Sequence, residues 1–141
     1  MTQRFAIGPR ETATLNTAGI REHFLIENIF TAGEIELTYT HYDRMIVGGA
    51  QPAETALTLP CPESLKASCF LERRELGALN VGGAGTITVD GTVYELGNQD
   101  CLYVGMGSKE VTFASTDVAN PAKYYLLSAP AHAVHPTARR T

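Results

Sequence analysis

Long apolar runs are missing from this sequence of 141 residues, and so is any excess of positive charge. No segment approaches the ~20 consecutive apolar residues that a membrane-spanning helix needs, and the opening MTQRFAIGPR lacks the apolar core of an export signal. Lysine and arginine number 11 against 15 acidic residues, a net charge of -4, and they are scattered. That distribution gives no footing for nucleic acid, and Arg139-Arg140 reads as a solvated chain end. Cysteine is scarce as well. Cys61, Cys69 and Cys101 are odd in number and far apart, which excludes a disulfide-stapled scaffold and points to a reducing, cytoplasmic compartment. Repeats, low-complexity segments and internal linkers are absent too. What is present is a composition 44% hydrophobic and 18% charged, which fits one globular domain over residues 1–141 with a core of its own.

Helical periodicity is confined to one short segment, 18-AGIREHF-24, which Asn16 or Thr17 can cap. From Leu25 onward, short β-rich runs alternate with Gly, Pro, Asn and Asp clusters: LIENIF, EIELTYTHYD, RMIVGG, TALTL, SCFLERREL, ALNVGG, GTITVDGTVYEL, DCLYVG, EVTFAS and KYYLLS. Such spacing predicts an all-β antiparallel sandwich or barrel with a short N-terminal helix. The strongest local signal is 87-ITVDGTVYEL-96, where Asp90-Gly91 supplies the two positive-φ positions of a type I′ hairpin. Ile87 and Val89 then share a buried face and Thr86 and Thr88 the other. The tail 129-APAHAVHPTARRT-141, with its prolines and small residues, predicts a chain that leaves the domain.

The stretch 75-ELGALNVGGAGTITVDGTVYELGNQDCLYVGMGSKEV-111 resembles the cupin pattern of Glu, strand, Gly-rich turn, Asp-Gly hairpin, second Gly-x-x-Asp turn and strand. In a metal-binding cupin, histidines and a carboxylate on neighbouring strands hold Zn, Fe or Mn. Here Glu75 stands at the carboxylate position, but counting back reaches Ser68 and Phe70 or Cys69 and Leu71, and Glu110 stands near the place of the last histidine. The barrel pattern is kept and its metal set is erased, so no metal ligand is predicted on this chain.

Longer runs carry a closer resemblance. The segments 41-HYDRMIVGGA-50, 70-FLERRELGALNVGGAGTITVDG-91, 100-DCLYVGMGSKEVTFAS-115 and 129-APAH-132 are similar to the N-terminal half of the 5-dehydro-4-deoxy-D-glucuronate isomerase family, two-cupin ketol-isomerases of pectin breakdown. The resemblance implies a small-molecule uronate substrate and a hexameric assembly. It also implies a zinc ion held by three His and a Glu of a second barrel, none of which has a counterpart in this chain. Ketol isomerisation moves a proton through an enediol, which calls for a placed base and a cation beside the developing oxyanion. A uronate also calls for an arginine facing its carboxylate. The alternative is a non-catalytic cupin module with a scaffold or binding role.

Candidate residues follow from that chemistry. In 39-YTHYDR-44, strand alternation puts Tyr39, His41 and Asp43 on one face, so His41 is the candidate base and Asp43 its orienting partner. Arg44, Arg74 and Glu75 are candidates for the substrate, although the charges of 72-ERRE-75 equally suit mutual ion pairs. His132 and His135 have no third ligand near them, Cys69 and Cys101 sit in apolar runs as small hydrophobes, and 82-GGAG-85 has no helix after it and reads as a turn.

Overall fold

The structure, a computed structural model, describes residues 1–141. Its helices are short and N-terminal. Pro9 opens α1 (Pro9–Thr12), where a fixed φ and a missing N–H are tolerated. Asn16 caps α2 (Thr17–Phe24) by accepting a hydrogen bond from the Gly19 amide at 2.9 Å. All other regular structure is strand, apart from one 3-10 turn at Glu63–Leu65: β1 (Thr2–Arg4), β2 (Glu34–Thr40), β3 (Ile46–Gln51), β4 (Leu57–Thr58), β5 (Arg74–Asn80), β6 (Gly85–Val89), β7 (Thr92–Leu96), β8 (Cys101–Val104), β9 (Val111–Ser115), β10 (Tyr124–Pro130) and β11 (Ala138–Arg140).

The strands form a seven-stranded sheet, β1-β2-β3-β10-β5-β8-β11, and a four-stranded sheet, β4-β9-β6-β7. Every pairing is antiparallel except β1 with β2. One continuous core unites them: Leu37, Ile46, Leu76, Ala78, Leu102, Val104 and Leu126 from the large sheet meet Ile87, Val89, Leu96, Val111 and Phe113 from the small one. Each Leu, Ile, Val or Phe among them contributes about 1.5–3 kcal/mol when fully buried. Tyr124 bridges the two layers, its ring 5.4 Å from Phe113 and its hydroxyl donating to the Thr86 and Ala114 carbonyls at 3.2 and 3.0 Å. Asn80, fully buried, pins three loops at once. Its amide donates to the Gly83, Leu96 and Gly97 carbonyls, and its carbonyl accepts from the Gly82 and Lys123 amides.

The Asp90-Gly91 hairpin forms as the sequence predicts, with φ of 47° and 85°, and the alternation of Ile87 and Val89 inward against Thr86 and Thr88 holds. Three expectations are corrected. LIENIF makes no strand, because β1 occupies the free edge of β2 and leaves residues 25–30 no ladder to join. The strand expected over SCFLERREL begins only at Arg74. The tail stays with the domain: β11 pairs with β8, the Arg139 guanidinium donates to the Glu95 carbonyl at 2.7 Å, and the His135 carbonyl lies so close over Gly105 that no side chain fits there. Pro130 is the last residue of β10, in register with Arg74, and Pro136 lies in the connection that leads into β11. No helix is long and apolar enough to cross a membrane.

Candidate functional site

A cavity of about 500 Å³ opens at one end of the sandwich between β2, the β2–β3 turn, the loop at 64–67 and the junction of β5 with β10. Its wall includes Tyr39, His41, Arg44, Phe70, Arg73 and Arg74, with Gln3 and Ser64 adding neutral polar groups, and no Asp or Glu lines it.

The register explains how the arginines arrive. Residues Arg74, Leu76, Ala78 and Asn80 of β5 point inward and Glu75, Gly77 and Leu79 outward, so the one charged side chain in the inward row stands at the strand's mouth. Arg74 is 7% exposed. Its Nε donates to Ser128 Oγ at 3.0 Å, and Nη2 donates to the Ser128 carbonyl at 2.9 Å and the Arg44 carbonyl at 2.6 Å. The guanidinium carbon lies 5.8 Å from the centre of the Tyr39 ring. Burial pushes the Arg74 pKa down, Tyr39 opposes that shift and Arg44 adds to it. A guanidinium nonetheless keeps its charge in a protein. The protein's ion pairs are Arg21–Glu27, Lys66–Glu63 and Arg73–Glu72, so Arg74 and Arg44 meet no carboxylate. Nη1 of Arg74 has no protein partner, and since no buried polar side-chain atom is left unsatisfied, it faces solvent.

The β2–β3 connection is a correction with consequences. The sequence reads 39-YTHYDR-44 as continuous strand, but β2 ends at Thr40 and residues 42–45 make a tight turn with Asp43 and Arg44 at φ of 52° and 58°. Alternation therefore fails beyond Thr40. His41 and Arg44 line the cavity, whereas Asp43 is exposed outside it and makes no bond to His41. The imidazole instead stacks on Phe5 at 4.3 Å, meets Tyr39 edge-on, and shares a hydrogen bond with Gln3 through Nε2 at 3.1 Å. Arg73 is partly committed, donating through Nη2 to the Leu65 and Lys66 carbonyls, with Nη1 beside Glu72.

Glu75 lies on the outer face of the sheet, where its carboxylate accepts a hydrogen bond from Tyr103 at 2.8 Å, and does not reach the cavity. Glu110 closes the Asp90 turn through its backbone, its amide donating to Asp90 Oδ1 at 2.9 Å. His132 and His135 are exposed in the β10–β11 loop. Of the predicted residues, then, His41, Arg44 and Arg74 converge, and Asp43 and Glu75 do not. Ser128, which orients Arg74, carries no signal in the sequence. Only strand pairing brings it opposite the start of β5.

The cavity's chemistry suits an anion. Three guanidinium groups repel a cation, His41 is the one metal-binding side chain on the wall, and nowhere do three or more His, Cys, Asp or Glu come together in a metal-holding group. The wall of this cavity does not suit a zinc ion, which the sequence resemblance assigns to a second barrel.

Residues 24–141 match the KduI/IolB family. The chain belongs to that family. A KduI/IolB relative from Formosa agariphila, a 4-deoxy-L-threo-5-hexosulose-uronate ketol-isomerase, is 56% identical over 134 residues, which is 95% of this chain and 48% of the relative. The protein of the same name from Escherichia coli O45:K1 is 50% identical over 100% of this chain and 51% of its own length. The chain thus spans about half the length of the curated relatives it matches. Among solved structures, the cupin domain of Schizosaccharomyces pombe Cnp3 superposes with a TM-score of 0.51 at 12% identity, over 67% of this chain and 62% of that one. That likeness concerns fold alone, and it agrees with the cupin-type β-sandwich expected of the sequence.

Proposed function

We propose that this chain is the N-terminal half of a cytoplasmic ketol-isomerase of uronate catabolism, interconverting 5-dehydro-4-deoxy-D-glucuronate and 3-deoxy-D-glycero-2,5-hexodiulosonate through an enediol. One observation carries the reading: identity of 50–56% to ketol-isomerases across nearly the whole chain. Three unpaired cysteines support a reducing compartment. The enediol path needs a polarising cation and a base together, and the cavity of this barrel offers cationic side chains and one imidazole without a metal-binding group. Catalytic power therefore belongs to a second barrel, and residues 1–141 are inactive alone.

The test compares residues 1–141 with the same residues fused to a second barrel that bears the missing ligands. No turnover of 5-dehydro-4-deoxyuronate is expected from the first and measurable turnover from the second. Loss of a catalytic cation removes several kcal/mol of transition-state stabilisation, and each ~1.4 kcal/mol is tenfold in rate. In the fusion, His41→Ala slows turnover if this half reaches the reacting sugar and leaves it unchanged if this half is scaffold. Chelator-insensitive isomerisation by the 141-residue chain would overturn the proposal. A second reading, a non-catalytic module with a binding role, draws on the anion-suited chemistry of the cavity.

A further inference from the structure

We propose that Cys61 and Cys69 form an oxidisable dithiol beside the cavity, a site for thiol–disulfide exchange with a small-molecule disulfide, and that the bond formed there fixes one wall of the cavity. The inference rests on the loop between β4 and β5 and stands apart from the isomerase reading.

The fold of that loop is the first ground. Pro62 leads the chain into the 3-10 turn at Glu63–Leu65, where the Leu65 amide donates to the Pro62 carbonyl and the Lys66 amide to the Glu63 carbonyl, each at 3.0 Å. Lys66 then takes the left-handed conformation, with φ and ψ both 48°, and reverses the chain. Residues 67–69 bend back beside Cys61 as a result. The Cys61 thiol donates to the Ala67 carbonyl at 3.4 Å, and only Ser68 separates Ala67 from Cys69. Arg73 secures the return, its Nη2 donating to the Leu65 and Lys66 carbonyls at 3.1 and 2.9 Å. The two ends of the loop are therefore gathered before any bond joins them, which is the condition for closing a disulfide without moving the backbone.

Chemistry is the second ground. Both cysteines are free, Cys61 exposed and Cys69 half-buried. The Cys69 thiol donates to the Ser108 carbonyl at 3.7 Å, and a hydrogen bond from sulfur is weak enough for either side chain to give up by rotation. Burial of its sulfur, then the negative charges of Cys69 and Glu72, push the Cys61 thiol up. The charge of Cys69 is thus felt at Cys61, and exchange at Cys61 quickens as pH rises and its thiolate becomes abundant. In the first step the Cys61 thiolate attacks one sulfur of the small disulfide, forms a mixed disulfide and expels one thiolate. Cys69 then loses its proton to solvent and attacks Cys61 Sγ, forming the internal S–S bond and expelling the second thiolate. Two protein thiols are oxidised, and one small disulfide is reduced to two thiols.

The bond has a consequence for the cavity. Ser64, Leu65 and Ala67 lie between the two cysteines and line its wall, and the carbonyls that anchor Arg73 belong to the same loop. A reducing compartment keeps the dithiol open, and a rise in the disulfide poise closes it.

The experiment equilibrates the 141-residue chain in glutathione redox buffers, folded and in urea, blocks the remaining thiols with N-ethylmaleimide and digests with trypsin without reduction. Cleavage after Arg44, Lys66 and Arg73 leaves Cys61 in peptide 45–66 and Cys69 in peptide 67–73, so the expected product is those two peptides joined through sulfur. The link persists in Cys101→Ser and is lost in Cys61→Ser, a change at an exposed position. Its equilibrium constant against glutathione is at least tenfold greater in the folded chain than in urea. Closure also slows hydrogen exchange at the amides of residues 63–68 at least tenfold and leaves β5 and β10 unchanged. Absence of the link, a link to the Cys101 peptide in its place, or closure no more favourable in the folded chain than in urea overturns the site. Unchanged exchange at residues 63–68 in the closed form overturns its hold on the cavity wall.

Discussion

At Tyr124 a phenol hydroxyl lies inside the sandwich and spans its two layers, donating to backbone carbonyls of β6 and β9 while its own strand sits in the opposite sheet. Burial pushes its pKa far above the ordinary value of 10.0, because the phenolate would have to be held away from water. The sign of the stability effect follows. Below pH 10 the folded and unfolded forms are both neutral and Tyr124 adds no pH dependence. Above it the unfolded chain ionises while the folded Tyr124 does not, so stability falls as pH rises. Tyr124→Phe is expected to cost about 1 kcal/mol at neutral pH through its lost hydrogen bonds. It should also make the decline in melting temperature between about pH 10 and 11 shallower than in the parent. An unchanged alkaline slope would show that this hydroxyl is not the group responsible. The residue scale is also where the sequence is least legible. Arg74 and Glu75 are neighbours of similar polarity, and nothing in FLERRELG says which faces in; the pairing of β5 with β10 decides it, and sends the arginine to the cavity and the glutamate to Tyr103.

Elements were legible where local chemistry forces a conformation. Asn16 caps a helix because its side chain matches an orphan amide, and Asp90-Gly91 turns a hairpin because both residues accept positive φ. The turn at Asp43-Arg44 uses the same geometry without a glycine, and arginine gives no warning of it. Strand alternation extended through Arg44 runs four residues past the end of β2 and pairs Asp43 with His41, whereas the turn leaves Asp43 outside the cavity. The tail misleads for a different reason: what holds it is a non-local fit, the His135 carbonyl seated on Gly105 and β11 laid along β8. Gly105→Ala tests that fit. A methyl group there collides with backbone, so the expected outcome is a loss of about 1–3 kcal/mol. Hydrogen exchange should show the amides of residues 138–140 deprotected while those of β5 and β10 keep their protection. Retained protection across 138–140 would mean that β11 holds without the close approach at Gly105.

The molecule as a whole is two-sided in a way that neither residues nor elements reveal. The outer face of the small sheet is a ladder of Thr86, Thr88 and Thr112, with Thr88 directly opposite Thr112. The outer face of the large sheet carries an apolar stripe beside the Glu75–Tyr103 pair: Leu127 lies opposite Val47 and Gly77, and Tyr125 opposite Leu79, with Leu127 40% and Leu79 37% exposed. Side chains on a central strand of a seven-stranded sheet are poor places for solvent-facing leucine unless another surface covers them. Segment 25–30 shields only the end of that face, where Ile29 and Phe30 lie against Gly49. The expected outcome is self-association of the isolated chain through the large sheet, seen by light scattering as dimers or larger species that dissociate on dilution. Leu127→Glu, on the exposed side of β10 and clear of the core, should weaken that association at least tenfold, about 1.4 kcal/mol, with melting behaviour at low concentration unchanged. A parent chain that remains strictly monomeric at high concentration would show that water alone covers Leu79 and Leu127, and the sidedness of the sandwich would then have no counterpart in assembly.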